Sequence, residues 1–246
     1  MRIPVAGKTA SHRRVGLLTA LSLGLAMALP VVARAADCRG DAGSSVDWSQ
    51  CDKRLLMLGG SDLSGANLSR TDFTYTDLRN SALKGANFEK AKLVRTALSG
   101  SKAEGTKFNK AEAYRGDFSG VAAAGATFVS AEMQRALFVG ADLTKTDFSK
   151  AELGRANFEK ATLTGSKFTL ANLSRARFEM SVFEGPLDFE NAFMLLTRIE
   201  GVDLSAATGL QQAQIQLACG DASTKLPAGI TAPTTWPCAD EVEDED

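Results

Sequence analysis

The chain has 246 residues, and its 28 Lys and Arg nearly balance its 29 Asp and Glu, giving a net charge of −1 at pH 7. This balance does not favour nucleic acid or an acidic membrane surface, which attract basic proteins. The only histidine is His12, so the rest of the chain lacks the imidazole of Ser-His-Asp and Cys-His nucleophiles and of most zinc sites. We expect no cofactor, no metal, no small-molecule substrate and no enzymatic activity. Catalysis by carboxylates alone is the remaining enzymatic alternative.

Residues 1–35 have the pattern of a signal peptide. Four basic residues open the segment, the stretch 15–32 carries no charge and is mostly apolar, and Ala33-Arg34-Ala35 fits the cleavage rule for small residues. We predict cleavage before Ala36 and a periplasmic or secreted protein. The alternatives are a membrane anchor if the segment stays uncleaved, and twin-arginine export, which Arg13-Arg14 would permit.

The four cysteines are Cys38, Cys51, Cys219 and Cys238. An even number in an exported chain indicates disulfides, and four cysteines allow three pairings. We favour Cys38–Cys51 and Cys219–Cys238, because each bond closes a short local loop.

The middle of the chain repeats every five residues. Stepping by five from Leu63 to Phe183, every centre is Leu, Phe, Ala or Met, and the residue two before each centre is Ala, Ser, Thr, Gly or Val. Every charged residue of this stretch lies at the other three positions. A period of five fits neither a helix nor a simple strand, and a fixed repeat of this length indicates a repeat architecture.

The letters GANLSR, GADLTK and RANFEK resemble the A-(D/N)-L-x-x consensus of the pentapeptide-repeat family over Ser61–Ala206. The resemblance implies an all-β fold, a right-handed quadrilateral β-helix of about seven to eight coils, in which each quintet forms one side and points its centre and its small residue inward. A coil of four quintets also predicts a period of 20. Phe residues follow that period in two columns on opposite sides, Phe88, Phe108, Phe128, Phe148 and Phe168, and Phe118, Phe138, Phe158 and Phe178.

We divide the chain into a signal peptide (1–35), an N-terminal cap (36–60), the β-helix (61–206), a C-terminal cap (207–238) and an acidic, disordered tail (239–246). The step from Phe183 to Phe189 is six residues, so one extra residue near Gly185-Pro186 should form a bulge. Apolar spacing from Leu210 to Ala218 predicts a short capping helix. A coil edge at either end invites pairing with another chain, so a homodimer through a terminal cap is a further expectation.

Sorting the outward charges by the period of 20 places cations at two corners. The first corner carries Arg95, Arg115, Arg135, Arg155 and Arg175, and the second carries Arg70, Lys90, Lys110 and Lys150. The side between them also holds Glu112, Glu132 and Glu152. One interpretation is a neutralised surface in which each Glu pairs with an Arg. The other is a cation row that binds an anionic partner, since guanidinium groups grip phosphate or carboxylate in a bidentate way.

Three classes of function remain after these exclusions. The first is a structural or interaction module of the bacterial cell envelope that binds a protein partner or an anionic glycan or polymer. The resemblance implies a second class, because some members of the family mimic DNA and protect gyrase; those members look strongly acidic, whereas residues 61–206 hold 18 acidic and 19 basic side chains. The third is an enzyme that uses carboxylates alone. We predict the first class.

Overall fold

The structure is a computed structural model that describes residues 36–239, together with Pro4 and Gly7. Apart from Pro4 and Gly7, the predicted signal peptide lies outside the described residues, as do residues 240–246 of the predicted acidic tail. Within the described part of the chain, no helix combines the length and the apolar character that crossing a membrane requires.

The repeat folds into a four-sided coil. Each quintet contributes one residue to a parallel bridge, and from Asp47 to Thr162 that residue pairs with the one 20 positions further along, as in Asp62 with Ala82. Every bridge in residues 36–239 is isolated, so no longer strand forms. Four bridges in each coil give the quadrilateral β-helix that the resemblance implies. Its right-handed sense stays a prediction.

The centres of the quintets fill the inside of the coil. All of them from Leu63 to Phe178 are buried. Within a column the rings stack, with centroids 4.7 to 5.2 Å apart from Phe88 to Phe178. Rings from opposite columns meet edge to face, as Phe108 and Phe118 do at 5.7 Å and 87°. This interlocked arrangement confirms the two predicted columns and leaves close-packed aromatic surface through the core.

Many inward Ser and Thr hydroxyls donate to a backbone carbonyl of the preceding coil, whereas the Ser101 hydroxyl donates to Leu98 O in its own coil. Thr96 Oγ1 donates to Phe73 O at 2.8 Å and Thr106 Oγ1 donates to Leu83 O at 2.7 Å. A buried hydroxyl without such a partner would cost about 1–3 kcal/mol. The small inward position therefore tolerates Thr and Ser as well as Ala.

All four corners of the coil take a left-handed backbone conformation. The corner residue, two after each centre, has a positive φ whether it is Gly125 (φ 69°), Lys145 (φ 56°) or Arg135 (φ 60°). Non-glycine residues rarely adopt this region. The glycines predicted to mark turns therefore share a conformation that the arginine and lysine corners adopt as well.

The regular coil begins earlier than the boundary placed at Ser61. The first bridge joins Asp47 to Asn67, and Trp48 and Lys53 occupy inward centre positions. The Lys53 amine is tolerated there because it donates to Cys38 O at 3.0 Å and lies 3.6 Å from the centroid of the Trp48 ring. Only the residues before Asp47 form the irregular part of the predicted cap.

The extra residue after Phe183 shifts the register as predicted. Thr162 pairs with Val182 at a separation of 20, whereas Lys167 pairs with Asp188 at 21. Leu187 is buried at the small inward position and Phe183 is only half-buried. The ladder then continues to a bridge between Asp203 and Lys225, so the coil extends beyond the boundary placed at Ala206.

The C-terminal cap contains helix α1, Gln212–Leu217, which confirms the predicted capping helix. Both predicted disulfides are present: Cys38–Cys51 with an S–S distance of 1.94 Å and Cys219–Cys238 with 2.03 Å. Beside the second bond, Trp236 Nε1 donates to Ala218 O at 2.6 Å. Each end of the coil is therefore tied by one disulfide.

Candidate partner-binding face

The five predicted arginines form one column along a corner of the coil. From Arg95 to Arg155, the backbone N–H of each arginine donates to the carbonyl of the residue that precedes the next arginine. Arg95 donates in this way to Tyr114 O (3.0 Å) and Arg115 to Gln134 O (3.0 Å). Adjacent coils are about 4.8 Å apart, so the column extends about 19 Å from Arg95 to Arg175. The predicted alignment is therefore a property of the fold.

The second set of cations forms the neighbouring corner. The backbone N–H of Lys90 donates to Asn109 O at 3.0 Å, and that of Lys110 donates to Val129 O at 3.0 Å. Arg70, Lys90, Lys110 and Lys150 are all exposed, and half-buried Ser130 interrupts the column. The two corners and the side between them are called the cation-flanked face. It comprises residues 70–75, 90–95, 110–115, 130–135, 150–155, 170–175 and 191–196.

Three glutamates run along the middle of this face. Glu112 bridges to Glu132 and Glu132 bridges to Glu152, and all three are exposed. Glu152 Oε2 accepts a hydrogen bond from Asn172 Nδ2 at 2.9 Å. The acidic row therefore ends in an amide at Asn172, and the centre of the face is negative from Glu112 to Glu152, with the two cation corners on either side.

The arginine column differs between its middle and its ends. Arg115, Arg135 and Arg155, each three residues after a Glu, are half-buried, whereas Arg95 and Arg175 are exposed. Lys92 and Asn172 stand where a Glu would precede these two end residues. The positive charge that a partner can reach is therefore concentrated at the two ends of the column.

The face also carries aromatic side chains, which were not among the predicted site residues. Tyr75 continues the arginine corner one coil earlier, and Arg95 Cζ lies 5.8 Å from its ring centroid. Arg115 Cζ lies 5.5 Å from the ring centroid of Tyr114. Phe193 follows Asn172 in the ladder. The period of 20 is enough to assign both tyrosines to this face, whereas Phe193 is assigned to it only when the extra residue after Phe183 is counted.

The three exposed aromatic residues among 36–239 are Tyr75, Tyr114 and Phe193, and all lie on the cation-flanked face. Aromatic residues and Arg are enriched where proteins bind one another. This composition, rather than charge alone, distinguishes the face from the other three sides.

The adjoining side carries arginines that are held in ion pairs. Arg177 Nε lies 3.3 Å from Glu179 Oε1, and Arg198 Nε lies 3.0 Å from Glu200 Oε1. Burial raises the pKa of Glu200, with smaller opposing contributions from a backbone hydrogen bond and Arg198. These pairs form a local structural network beyond the arginine corner.

No group of His, Cys, Asp and Glu suited to holding a metal ion occurs in the part of the chain that the structure describes. The four cysteines are consumed by the disulfides.

Comparison with known families matches Pentapeptide repeats, in eight copies, over residues 58–89, 83–120, 116–155 and 151–185. Together these segments cover just over half of the chain. Comparison with curated protein sequences gave no match.

The chain is similar to several solved structures. HetL, a pentapeptide repeat protein involved in heterocyst differentiation regulation from the cyanobacterium Nostoc, is 24% identical over 77% of this chain and 80% of its own, with a TM-score of 0.45. QnrB1, a plasmid-mediated fluoroquinolone resistance protein, is 20% identical over 70% of this chain and 88% of its own, with a TM-score of 0.38. A pentapeptide repeat protein from the Arabidopsis thaliana thylakoid lumen is 31% identical over 41% of this chain and 70% of its own, with a TM-score of 0.24.

Proposed function

We propose, from the premise that this chain belongs to the pentapeptide-repeat family, that it is a non-enzymatic interaction module of the bacterial cell envelope. Its cation-flanked face binds an acidic partner, either a protein or an anionic polymer. The observation that carries this proposal is the arginine column, whose two end residues, Arg95 and Arg175, are exposed.

Repetition gives the face its binding strength. Single exposed ion pairs contribute only about 0–1 kcal/mol, so one surface arginine would be a weak ligand. A column with one cation in every coil can engage a partner at several points at once, and each guanidinium fork can donate two hydrogen bonds to one carboxylate or phosphate. The rigid coil holds the cations at fixed spacing, which reduces the entropy lost on binding.

The envelope location is part of the proposal. The pattern of residues 1–35 supports export. The two disulfides at the ends of the coil support an oxidising compartment, where such bonds persist.

The alternative in which the coil mimics DNA and protects gyrase has less support. A DNA mimic must present a dominant negative surface, whereas the repeat has balanced charge and arranges cations in two columns. Catalysis by carboxylates needs a cleft that holds them together, and Glu112, Glu132 and Glu152 lie in a row on an outer side.

The proposal is tested with purified mature protein on a heparin column at low salt. Wild type is compared with the double variant Arg95→Asn and Arg175→Asn; asparagine tolerates the positive φ of these corners, 51° and 57°. A matched control, Lys84→Asn with Lys102→Asn, removes the same charge from exposed positions on the opposite side. We expect the arginine variant to elute at clearly lower salt and the control to elute close to wild type.

Fractionation of cells that express the tagged chain tests the location. Recovery with the periplasmic or secreted fraction supports the proposal, whereas recovery in the cytoplasm contradicts it.

On the heparin column, equal retention of wild type, the arginine variant and the lysine control would contradict the role of the arginine column. Loss of retention only in the lysine control would assign binding to another side of the coil.

A further inference from the structure

The C-terminal end of the cation-flanked face carries an apolar patch. Among residues 36–239, twelve large apolar side chains are exposed. Four of them form what we call the terminal patch: Leu170 (51% exposed), Phe193 (48%), Leu195 (41%) and Leu217 (41%). Exposed clusters of this kind mark binding sites more often than isolated exposed residues do.

Backbone contacts place these residues on adjoining segments. Phe193 pairs with Asn172 in the ladder, and Leu195 follows on the other side of buried Met194. The N–H of Leu196 donates to Leu217 O at 2.7 Å. Leu170, at the corner one coil earlier, donates its N–H to Glu190 O at 2.8 Å. The patch therefore extends from the last coils of the face to the end of helix α1.

The patch is not required by the fold. One coil earlier, the positions equivalent to Phe193 and Leu195 hold Asn172 and Ser174, with the same backbone arrangement. Both pairs of side chains point outward, so neither contributes to the core. Polar residues would serve equally well there if the surface faced only water.

An exposed cation borders the patch. The N–H of Arg175 donates to Leu195 O at 2.8 Å, so the exposed end of the arginine column lies one coil from Phe193 and Leu195. Next to apolar surface, a charge pair is screened less and a guanidinium–carboxylate contact becomes stronger. The arrangement favours a carboxylate and an apolar side chain close together on the partner.

We infer that the terminal patch and Arg175 form the docking point for an acidic peptide segment of a partner protein that carries a large apolar residue. This inference rests on the proposed function and narrows its partner to a protein. A second copy of the chain fits less well. A two-fold contact through the patch would bring the two Arg175 side chains and their columns together, with like charges opposed.

The test uses two labelled synthetic peptides of equal charge, DEDLFEDE and DEDGSEDE. Their affinities for the full mature chain are measured by fluorescence anisotropy at low salt. We expect the peptide with Leu-Phe to bind at least tenfold more tightly, since a buried aromatic anchor dominates such contacts. Phe193→Ser should abolish the preference and leave binding of the Gly-Ser peptide unchanged, whereas Arg175→Asn should weaken both peptides severalfold.

Matched variants keep the result interpretable. Leu137→Ser removes an apolar side chain that is as exposed as Leu195 (41%) but lies on the adjoining side of the coil. This variant should keep the preference for the Leu-Phe peptide. Circular dichroism shows whether Phe193→Ser folds. If it does not, Leu195→Ser removes a second side chain of the patch and tests the same expectation.

Four results would overturn the inference. Equal binding of the two peptides to wild type would exclude the patch while leaving the anion-binding face intact. If neither peptide binds, the anion-binding role proposed for the cation-flanked face is contradicted as well. If sedimentation shows a dimer that Phe193→Ser dissociates, the patch binds a second copy of the chain. If the peptides bind only after deletion of residues 240–246, the patch binds the chain's own acidic tail.

Discussion

Phe128 and Phe138 come from opposite sides of the coil and meet edge to face, with ring centroids 5.8 Å apart and planes at 88°. Phe128 also stacks on Phe108 at 4.7 Å and on Phe148 at 4.9 Å. Phe128 therefore contacts two rings in its own column and two in the other, and contacts of this kind join the aromatic columns into one continuous core.

Phe128→Ala should lower the free energy of unfolding by about 3–5 kcal/mol, the usual cost of removing a buried Phe. We expect a larger loss than for Phe158→Ala, which removes the same number of ring contacts. The difference arises because Ala113 and Ala123 leave less bulk beside Phe128 than Leu153 and Leu163 leave beside Phe158. Urea denaturation measures both, and equal losses would contradict the ranking.

Lys145 tests the left-handed corners away from the binding face. It is exposed, has φ 56°, and lies in a corner column otherwise occupied by glycine from Gly65 to Gly185. Lys145→Gly should raise the free energy of unfolding by about 0.5–1 kcal/mol, because relief of backbone strain exceeds the added entropy of the unfolded chain. Lys145→Val should lower it by about 1–2 kcal/mol. Thermal unfolding of the two variants should move Tm in opposite directions, and a shift in the same direction would show that the corner is not strained.

Gly220→Ala should loosen the C-terminal cap. A Cβ at this position would overlap the ring of Trp236, which approaches the glycine backbone closely. The ring cannot withdraw without stretching its 2.6 Å hydrogen bond to Ala218 O or moving Cys238. In a Trp48→Phe background, the fluorescence of Trp236 should shift to longer wavelength and the cap should be cut faster by trypsin at Lys225. An unchanged spectrum would show that the ring has room to move.

The same cap should weaken in acid because of Asp221. Hydrogen bonds, first that from the Ser223 hydroxyl, lower the pKa of this carboxyl from 3.8 to about 2. Because the folded pKa is lower than the unfolded one, the stabilising contribution is present above about pH 4 and is lost as the pH falls toward 2. Trp236 fluorescence followed from pH 5 to 2 should report this loss. Asp221→Asn should show a smaller change over that range, and identical titrations would exclude Asp221 as the group responsible.

Several features of this protein follow from the order of its residues alone. The five-residue period predicts a repeat architecture. The resemblance of its quintets to the pentapeptide-repeat consensus implies the four-sided coil, in which apolar or small side chains point inward and charges are confined to the other three positions. The period of 20 predicts the phenylalanine columns and the alignment of Arg95 with Arg175. Short loop lengths indicated the correct disulfides, Cys38–Cys51 and Cys219–Cys238.

Other features depended on contacts between residues far apart in the chain. Lys53 breaks the apolar rule yet lies inward, because its amine donates a hydrogen bond to the carbonyl of Cys38 and lies over the Trp48 ring. Phe193 joins the face of Tyr114 only because the extra residue before Leu187 rotates the register. A repeat determines which way each side chain points, through sterics that act within five residues. Which side chains become neighbours after an irregular step, and whether a buried charge finds a partner, is decided only when the coils stack.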